Sequence, residues 1–121
     1  MFRLLKISIL SLSFISANAL AVDCVKPSKP VIPNGKTASM EEMVEAQSAV
    51  KTYQTGMENY RACHEANMNA LKPAVSEGEN AAVASYMGSN RAFNDSVSQE
   101  EEVATEFNSA IKAYKAANPS E

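Results

Sequence analysis

Histidine and cysteine are scarce in this chain of 121 residues, which contains only His64, Cys24 and Cys63 of these two types. No Cys-x-x-Cys spacing occurs, and one histidine with two cysteines offers too few ligands for a usual zinc site. Glycine-rich phosphate loops, dinucleotide-binding fingerprints and metalloprotease helix motifs are also absent. Cys63 and His64 are neighbours on a predicted helix, so their side chains diverge by about 100° and cannot form a nucleophile-base pair. The sequence therefore predicts a non-enzymatic protein without a catalytic residue, metal site or cofactor.

Long hydrophobic runs are absent beyond the N-terminal region. Arg3 and Lys6 form a short positive segment, residues 7–15 are apolar except for serines, and Ala19-Leu20-Ala21 fits a signal peptidase site. The apolar run is shorter than the about 20 residues of a permanent membrane anchor. Residues 1–21 are therefore predicted to be a signal peptide, cleaved after Ala21 or, as a second choice, after Ala19. We expect a periplasmic or secreted protein with no integral membrane segment after cleavage.

Clusters of basic residues are lacking as well. The 11 lysines and arginines are scattered among 14 acidic residues. Two of the basic residues lie in the predicted signal peptide, so the mature chain has 9 basic against 14 acidic residues and a formal charge of −5. Because proteins that neutralise phosphates need a clustered basic face, we expect no nucleic-acid partner.

The two cysteines of an exported chain usually form a disulfide, because the compartment is oxidising. Cys24 and Cys63 allow only one pairing, and the chain-entropy model gives roughly 4 kcal/mol for closing such a loop, as an upper value. The alternative is a redox-active or metal-binding pair, which the missing Cys-x-x-Cys spacing disfavours. A disulfide of this size would supply a large fraction of the stability of so small a domain.

Residues 22–38 are predicted to form an extended arm. Pro27, Pro30 and Pro33 are three residues apart, which places them on one edge of a polyproline II segment. Asn34-Gly35 predicts a turn at the end of this arm. The following helix carries small residues at seven-residue intervals, which let another backbone approach, and we expect the arm to lie along them. They are Ala49, Gly56, Cys63 and Ala70.

Residues 39–117 are predicted to form two long helices. Ser39 and Glu42 have the spacing of a capping box, which marks the first helix start. Both helices contain apolar positions that alternate by three and four residues, as in the seam of packed helices. In the first helix these are Met43, Ala46, Val50, Tyr53, Met57, Tyr60, His64, Asn67 and Leu71. In the second they are Val83, Tyr86, Asn90, Phe93, Val97, Glu100, Ala104, Phe107, Ile111 and Tyr114.

The helix ends follow from proline and glycine. Because the residue before a proline avoids the helical region, Pro73 is predicted to end or kink the first helix, and we place the end near Leu71. Residues 76–79 offer a turn and a second capping box. The second helix is predicted to continue through Gly88, with a break there as the alternative. Asn118-Pro119 is predicted to close it.

These elements predict an all-α fold: an antiparallel two-helix hairpin whose proline-rich N-terminal arm is disulfide-linked to the first helix. In antiparallel packing, an a position of one heptad seam lies beside a d position of the other. The pairs predicted in this way share a midpoint between Gly78 and Glu79. Those pairs are Leu71 with Tyr86, His64 with Phe93, Val50 with Phe107 and Met43 with Tyr114. In that register Asn67 faces Asn90, either as an aligning polar pair or by chance near the hairpin tip.

Several stretches of the arm and first helix resemble a group of small exported proteobacterial proteins of unknown function. The stretches are Cys24, Pro30 to Gly35, Ala38 to Met43, Ala49-Val50-Lys51 with Tyr53, and Tyr60 followed by Cys63. The resemblance implies a bacterial periplasmic or secreted protein and supports linked cysteines. It implies no activity and no site.

We therefore expect a binding or structural protein of the bacterial envelope. Its protein partner is unknown, and a homo-oligomer is expected if an apolar hairpin face pairs with a second copy as a four-helix bundle. A periplasmic holdase is the alternative, because five of the six methionines remain after cleavage and methionine adapts to irregular surfaces.

Overall fold

A computed structural model describes residues 22–120, so the predicted signal peptide lies outside the described residues. Within this range the chain forms two helices and no strand: α1, Met40–Ser76, and α2, Asn80–Ala117. The helices pack against each other and are connected by a three-residue turn. The arm precedes them in the chain. The predicted all-α hairpin with a disulfide-linked arm is thus confirmed. Neither α1 nor α2 contains a stretch apolar and long enough to cross a bilayer.

The first helix begins as predicted and ends later than predicted. The Glu42 amide donates to Ser39 Oγ at 3.1 Å, and the Ser39 amide donates to the Glu42 carboxylate at 2.7 Å. The predicted end near Leu71 is wrong, because α1 continues through Pro73 to Ser76. Pro73 has no N–H to donate to the Asn69 carbonyl, and both Asn69 and Pro73 are exposed. Water can therefore satisfy that carbonyl, and the helix tolerates the proline near its end.

The turn between the helices depends on Gly78, which has a positive φ of 76°. The Gly78 amide donates to Val75 O at 3.0 Å and the Glu79 amide to Ala74 O at 3.1 Å, the paired bonds of a Schellman motif. The predicted second capping box is wrong, because Glu79 caps α2 without a side-chain hydrogen bond. As predicted, α2 passes through Gly88 unbroken and ends before Asn118.

The core consists of two clusters along the helix contact. One contains Val50, Tyr53, Met57 and Val103, and the other contains Met43, Ala110 and Tyr114. Phe107 packs against both. The predicted neighbours Val50 and Phe107, and Met43 and Tyr114, therefore share clusters, which confirms the antiparallel register at this end of the hairpin.

The buried row of α2 differs from the predicted one. Asn90 and Val97 were predicted to lie in the seam, but both are exposed. Four of the buried residues of α2 lie one position before a predicted seam residue, and the fifth, Tyr114, lies in the predicted seam. The four are Ala82, Ser96, Val103 and Ala110. Ile32 of the arm packs against both core clusters, so α2 contacts α1 and the arm together.

Burial along the arm repeats every three residues, as expected for an extended segment with polyproline periodicity. Cys24, Pro27, Pro30 and Pro33 are partly buried, whereas Val22, Val25, Ser28 and Val31 are exposed. The predicted lane of small residues on α1 is used only in part. A Cβ on Gly56 would lie 2.9 Å from Pro27 Cβ, and Cys63 is bonded to the arm, but Ala49 and Ala70 are exposed. The arm therefore leaves this lane and crosses toward α2.

The arm ends in the predicted turn. The Asn34 carbonyl accepts hydrogen bonds from the Thr37 and Ala38 amides, and its side chain accepts one from the Lys36 amide at 3.1 Å. Gly35 is buried here, and a Cβ on it would overlap the Ala110 carbonyl oxygen of α2. Glycine is needed at this point because two backbones touch.

Replacing Gly35 by alanine is expected to destabilise the fold by about 2 kcal/mol or more, because the new methyl group meets the rigid backbone of α2. Gly88→Ala is the matched control. No atom lies within 4 Å of a Cβ on Gly88, and alanine is the better helix former by about 1 kcal/mol. Urea unfolding of both variants measures the difference, and equal midpoints would contradict the proposed close contact.

Candidate functional site

A disulfide fixes the arm to the middle of α1. Cys24 and Cys63 are bonded, with their Cα atoms 5.7 Å apart and a sequence separation of 39. The predicted pairing is therefore confirmed, and the described chain has no free cysteine. Such a bond indicates an oxidising compartment, because reducing systems keep cytosolic thiols free.

Asn67 holds the start of the arm beside this disulfide. Its Oδ1 accepts a hydrogen bond from the Val22 amide at 3.1 Å, and its Nδ2 donates to the Val22 carbonyl at 2.7 Å. The same Nδ2 lies 3.4 Å from Cys24 Sγ. The predicted pairing of Asn67 with Asn90 is wrong. Asn67 can be buried because its amide group hydrogen-bonds both backbone groups of Val22, as the backbone of a neighbouring strand would.

Lys29 links the arm to the second helix. Its Nζ lies 2.9 Å from Glu106 Oε1 and 3.8 Å from Glu102 Oε1. The hydrogen bond to Glu106 raises the pKa of Lys29, and the charge of Glu102 adds to this effect. The groups are exposed, so these ion pairs position the arm more than they stabilise it. Burial raises the pKa of the neighbouring Tyr53, whose side chain lies in the core.

Polar residues join the two helices beyond the apolar core. Arg61 Nη2 lies 3.0 Å from Glu100 Oε2, and both side chains are mostly buried. His64 Nδ1 lies 3.2 Å from Ser89 Oγ, and its ring meets Tyr60 edge to face. His64 is therefore a seam residue with a hydrogen-bond partner, as predicted. Within residues 22–120, no three histidine, cysteine or acidic side chains are grouped so that they could hold a metal ion.

The hairpin has a second groove that the arm does not cover, which we name the open groove. Two adjoining cavities of about 250 Å³ each form it and share Gln47 and Phe107. Its apolar lining lies at the end of the hairpin away from the turn and includes Met40, Val44, Phe107 and Ile111. Lys115 and, farther along, Lys51 line its edges.

The open groove and the arm lie on opposite faces of the hairpin. Gln47 lines the open groove, whereas Ala49 lines the cavity beside Pro27 and Pro30 of the arm. Two residues apart on a helix, Gln47 and Ala49 point in directions about 160° apart. The hairpin therefore has one groove closed by its own arm and one groove exposed to solvent.

Sequence patterns predict the cysteine pairing but not the open groove. Met40 and Val44 lie outside the predicted seam, and 51% and 55% of their surfaces are exposed. Their four-residue spacing beside Met43 is a signal that could have indicated the groove, because it widens the apolar face of α1 at its start. The roles of Asn67 and Lys29 left no such signal, since both bind partners distant in sequence.

Asn67→Ala is expected to lower the free energy of unfolding by about 1–2 kcal/mol. The variant loses both hydrogen bonds to the Val22 backbone. Asn90→Ala, an exposed asparagine on the other helix, is the control and is expected to change stability by less than about 0.5 kcal/mol. Equal losses in urea unfolding would contradict the role of Asn67.

Reducing the disulfide is expected to cost up to about 4 kcal/mol, because the unfolded chain regains the entropy of the 39-residue loop. Urea unfolding with and without reductant measures this cost. The Cys24→Ser, Cys63→Ser double variant serves as control, since its stability should match that of the reduced protein and ignore reductant. An unfolding midpoint of the unmodified protein that ignores reductant would refute the prediction.

Comparison of the chain with protein-family models, with curated proteins and with solved structures finds no match. The function therefore has to be inferred from the residues of this chain. Two features stand out: an arm fixed by a disulfide, and an apolar groove that this arm leaves open.

Proposed function

We propose that this chain is a small exported protein of the bacterial envelope that acts by binding, without catalysis, through its open groove. The observation that carries the proposal is the uncovered apolar lining of that groove, centred on Met40, Val44 and Ile111. An exposed apolar patch is unfavourable in water and commonly marks an interaction site. Residues of the opposite groove are already occupied by the arm, so the open groove is the face left for a protein partner.

Export is part of the proposal and is supported by two features. The N-terminal sequence has the organisation of a signal peptide, and the Cys24–Cys63 disulfide suits an oxidising compartment. Cleavage after Ala21 would make the Val22 nitrogen a charged α-amino group. That group would keep Asn67 Oδ1 as its acceptor, and a charge-assisted hydrogen bond is stronger than a neutral one.

A periplasmic holdase is the second candidate. It is favoured by the methionine at the mouth of the groove, Met40, which is half exposed, and by Met87, which is 57% exposed near the turn. Flexible methionine side chains let one surface fit many unfolded segments. A holdase would contact many clients, whereas a structural or adaptor protein would contact one or few.

Site-specific photocrosslinking in living bacteria tests the proposal. A photoreactive phenylalanine at Gln47, in the open groove, is expected to give discrete crosslinked products in the envelope fraction. The same side chain at Ser98, an exposed residue outside the groove, is the control and should give none. The products are expected to disappear when Val44→Lys places a charge in the groove.

The crosslinking pattern distinguishes the candidates. A few discrete bands support the binding or structural role, and a continuous smear of products that grows on heating supports the holdase. Crosslinks of equal strength from positions 47 and 98, or none from either, would refute binding through the open groove. Intact mass of the exported protein separately tests removal of residues 1–21.

A further inference from the structure

The arm carries a second apolar edge that its own hairpin does not use. Val22, Val25 and Val31 are 69%, 85% and 89% exposed, and they lie three or six residues apart. With three residues per turn, they share one edge of the extended segment. The opposite edge, with Pro27, Pro30 and Pro33, faces the hairpin. The arm therefore presents a row of three valines, interrupted by Ser28, to solvent.

This valine edge is held in a fixed conformation. The disulfide and Asn67 anchor one end, Lys29 is paired with Glu106 in the middle, and Gly35 rests against α2 at the other end. A segment that is already ordered loses little conformational entropy when it binds. Exposed valines on so constrained a support form a surface prepared for contact.

We propose that the valine edge of one copy binds in the open groove of a second copy. The dimensions agree: Val25 to Val31 spans about 19 Å at polyproline rise, and the groove from Met40 to Gln54 spans about 21 Å at helical rise. The hairpin already accepts the proline edge of the arm between its helices on one face. In the stacked arrangement, each arm lies between the closed groove of its own hairpin and the open groove of the next.

The charges on the two faces are complementary. The face that carries the arm has more acidic than basic side chains. They are Glu42, Glu45, Glu102 and Glu106 against Lys26 and Lys29 of the arm, of which Lys29 is paired with Glu106. The open groove on the opposite face is edged by Lys51 and Lys115. Stacking front to back brings acids to lysines, whereas pairing two open grooves brings lysines to lysines. The charges thus favour the arm of a second copy over the four-helix pairing of like faces.

Such a contact joins the valine edge of one copy to the open groove of another. It leaves one open groove free at one end of the assembly and one valine edge free at the other end. Head-to-tail contacts of this kind continue into rows unless the rotation between copies closes a ring. The proposal therefore extends the binding function to self-assembly of a structural component, and it rests on that proposed function.

Sedimentation of the exported, oxidised protein tests the inference. The average mass is expected to rise with concentration beyond that of a dimer. An arm variant, Val25→Lys with Val31→Lys, and a groove variant, Met40→Lys with Val44→Lys, should each weaken association by at least about tenfold, because each loses apolar burial. Met87→Lys, equally exposed but near the turn, is the control and should associate as the unmodified protein does.

Mixing the two double variants gives the sharpest result. The arm variant keeps an intact groove and the groove variant keeps an intact arm, so an equimolar mixture should form dimers and stop there. All replaced side chains are at least half exposed, so the variants should match the Met87→Lys control in urea unfolding.

Three outcomes would overturn the inference: a purified protein that is monomeric at all concentrations, an arm variant that still dimerises through its groove, or a mixture that stays monomeric. The inference and the proposed function can fail separately. Crosslinks from position 47 to a different envelope protein, together with a monomeric purified chain, would refute the stacking and retain the binding function.

Discussion

Two helices share only one line of contact, and this geometric limit governs the whole molecule. A hairpin of this kind leaves a groove on each side of the contact, and its two small clusters, centred on Met57 and on Met43, cannot alone offset the entropy of ordering the chain. The arm adds a third element without adding a helix. Ile32 reaches both clusters, so the core is completed by a residue that lies outside the hairpin.

The covalent bond makes this third element effective. An arm with few apolar contacts would leave the groove often, because each of its contacts is weak alone. The bond between Cys24 and Cys63 fixes one end, and the short connection from Gly35 to the start of α1 fixes the other. Between these points the arm has few alternative positions, so modest contacts such as those of Pro27 and Lys29 suffice to place it.

Local sequence patterns predicted most of the fold. The capping box at Ser39 and the antiparallel register follow from spacing, and the pairing of the cysteines follows from their number in an exported chain. The structure confirms the capping box, the disulfide and, at the end away from the turn, the register. The errors arose where a second partner decided the outcome. Water can bind the carbonyl that Pro73 leaves without a partner, so α1 continues. The second helix contacts the arm as well as α1, and the Asn67 side chain binds arm backbone instead of Asn90. The spacing of Met40 and Val44 could have indicated extra apolar surface at the start of α1, but a heptad pattern does not say which side of the seam remains uncovered.

Side-chain size explains why the arm occupies one groove and leaves the other. Where the arm meets the helices, it contacts Gly56 on α1 and Ala110 on α2, and even one added carbon on Gly56 would crowd Pro27. The open groove is lined instead by Met40, Phe107 and Ile111, whose bulk keeps a backbone from approaching the helix axes. A segment in that groove would have to contact it through projecting side chains. The small residues of one face therefore let the arm backbone approach the helices, whereas the large residues of the other face favour a partner that presents an apolar edge.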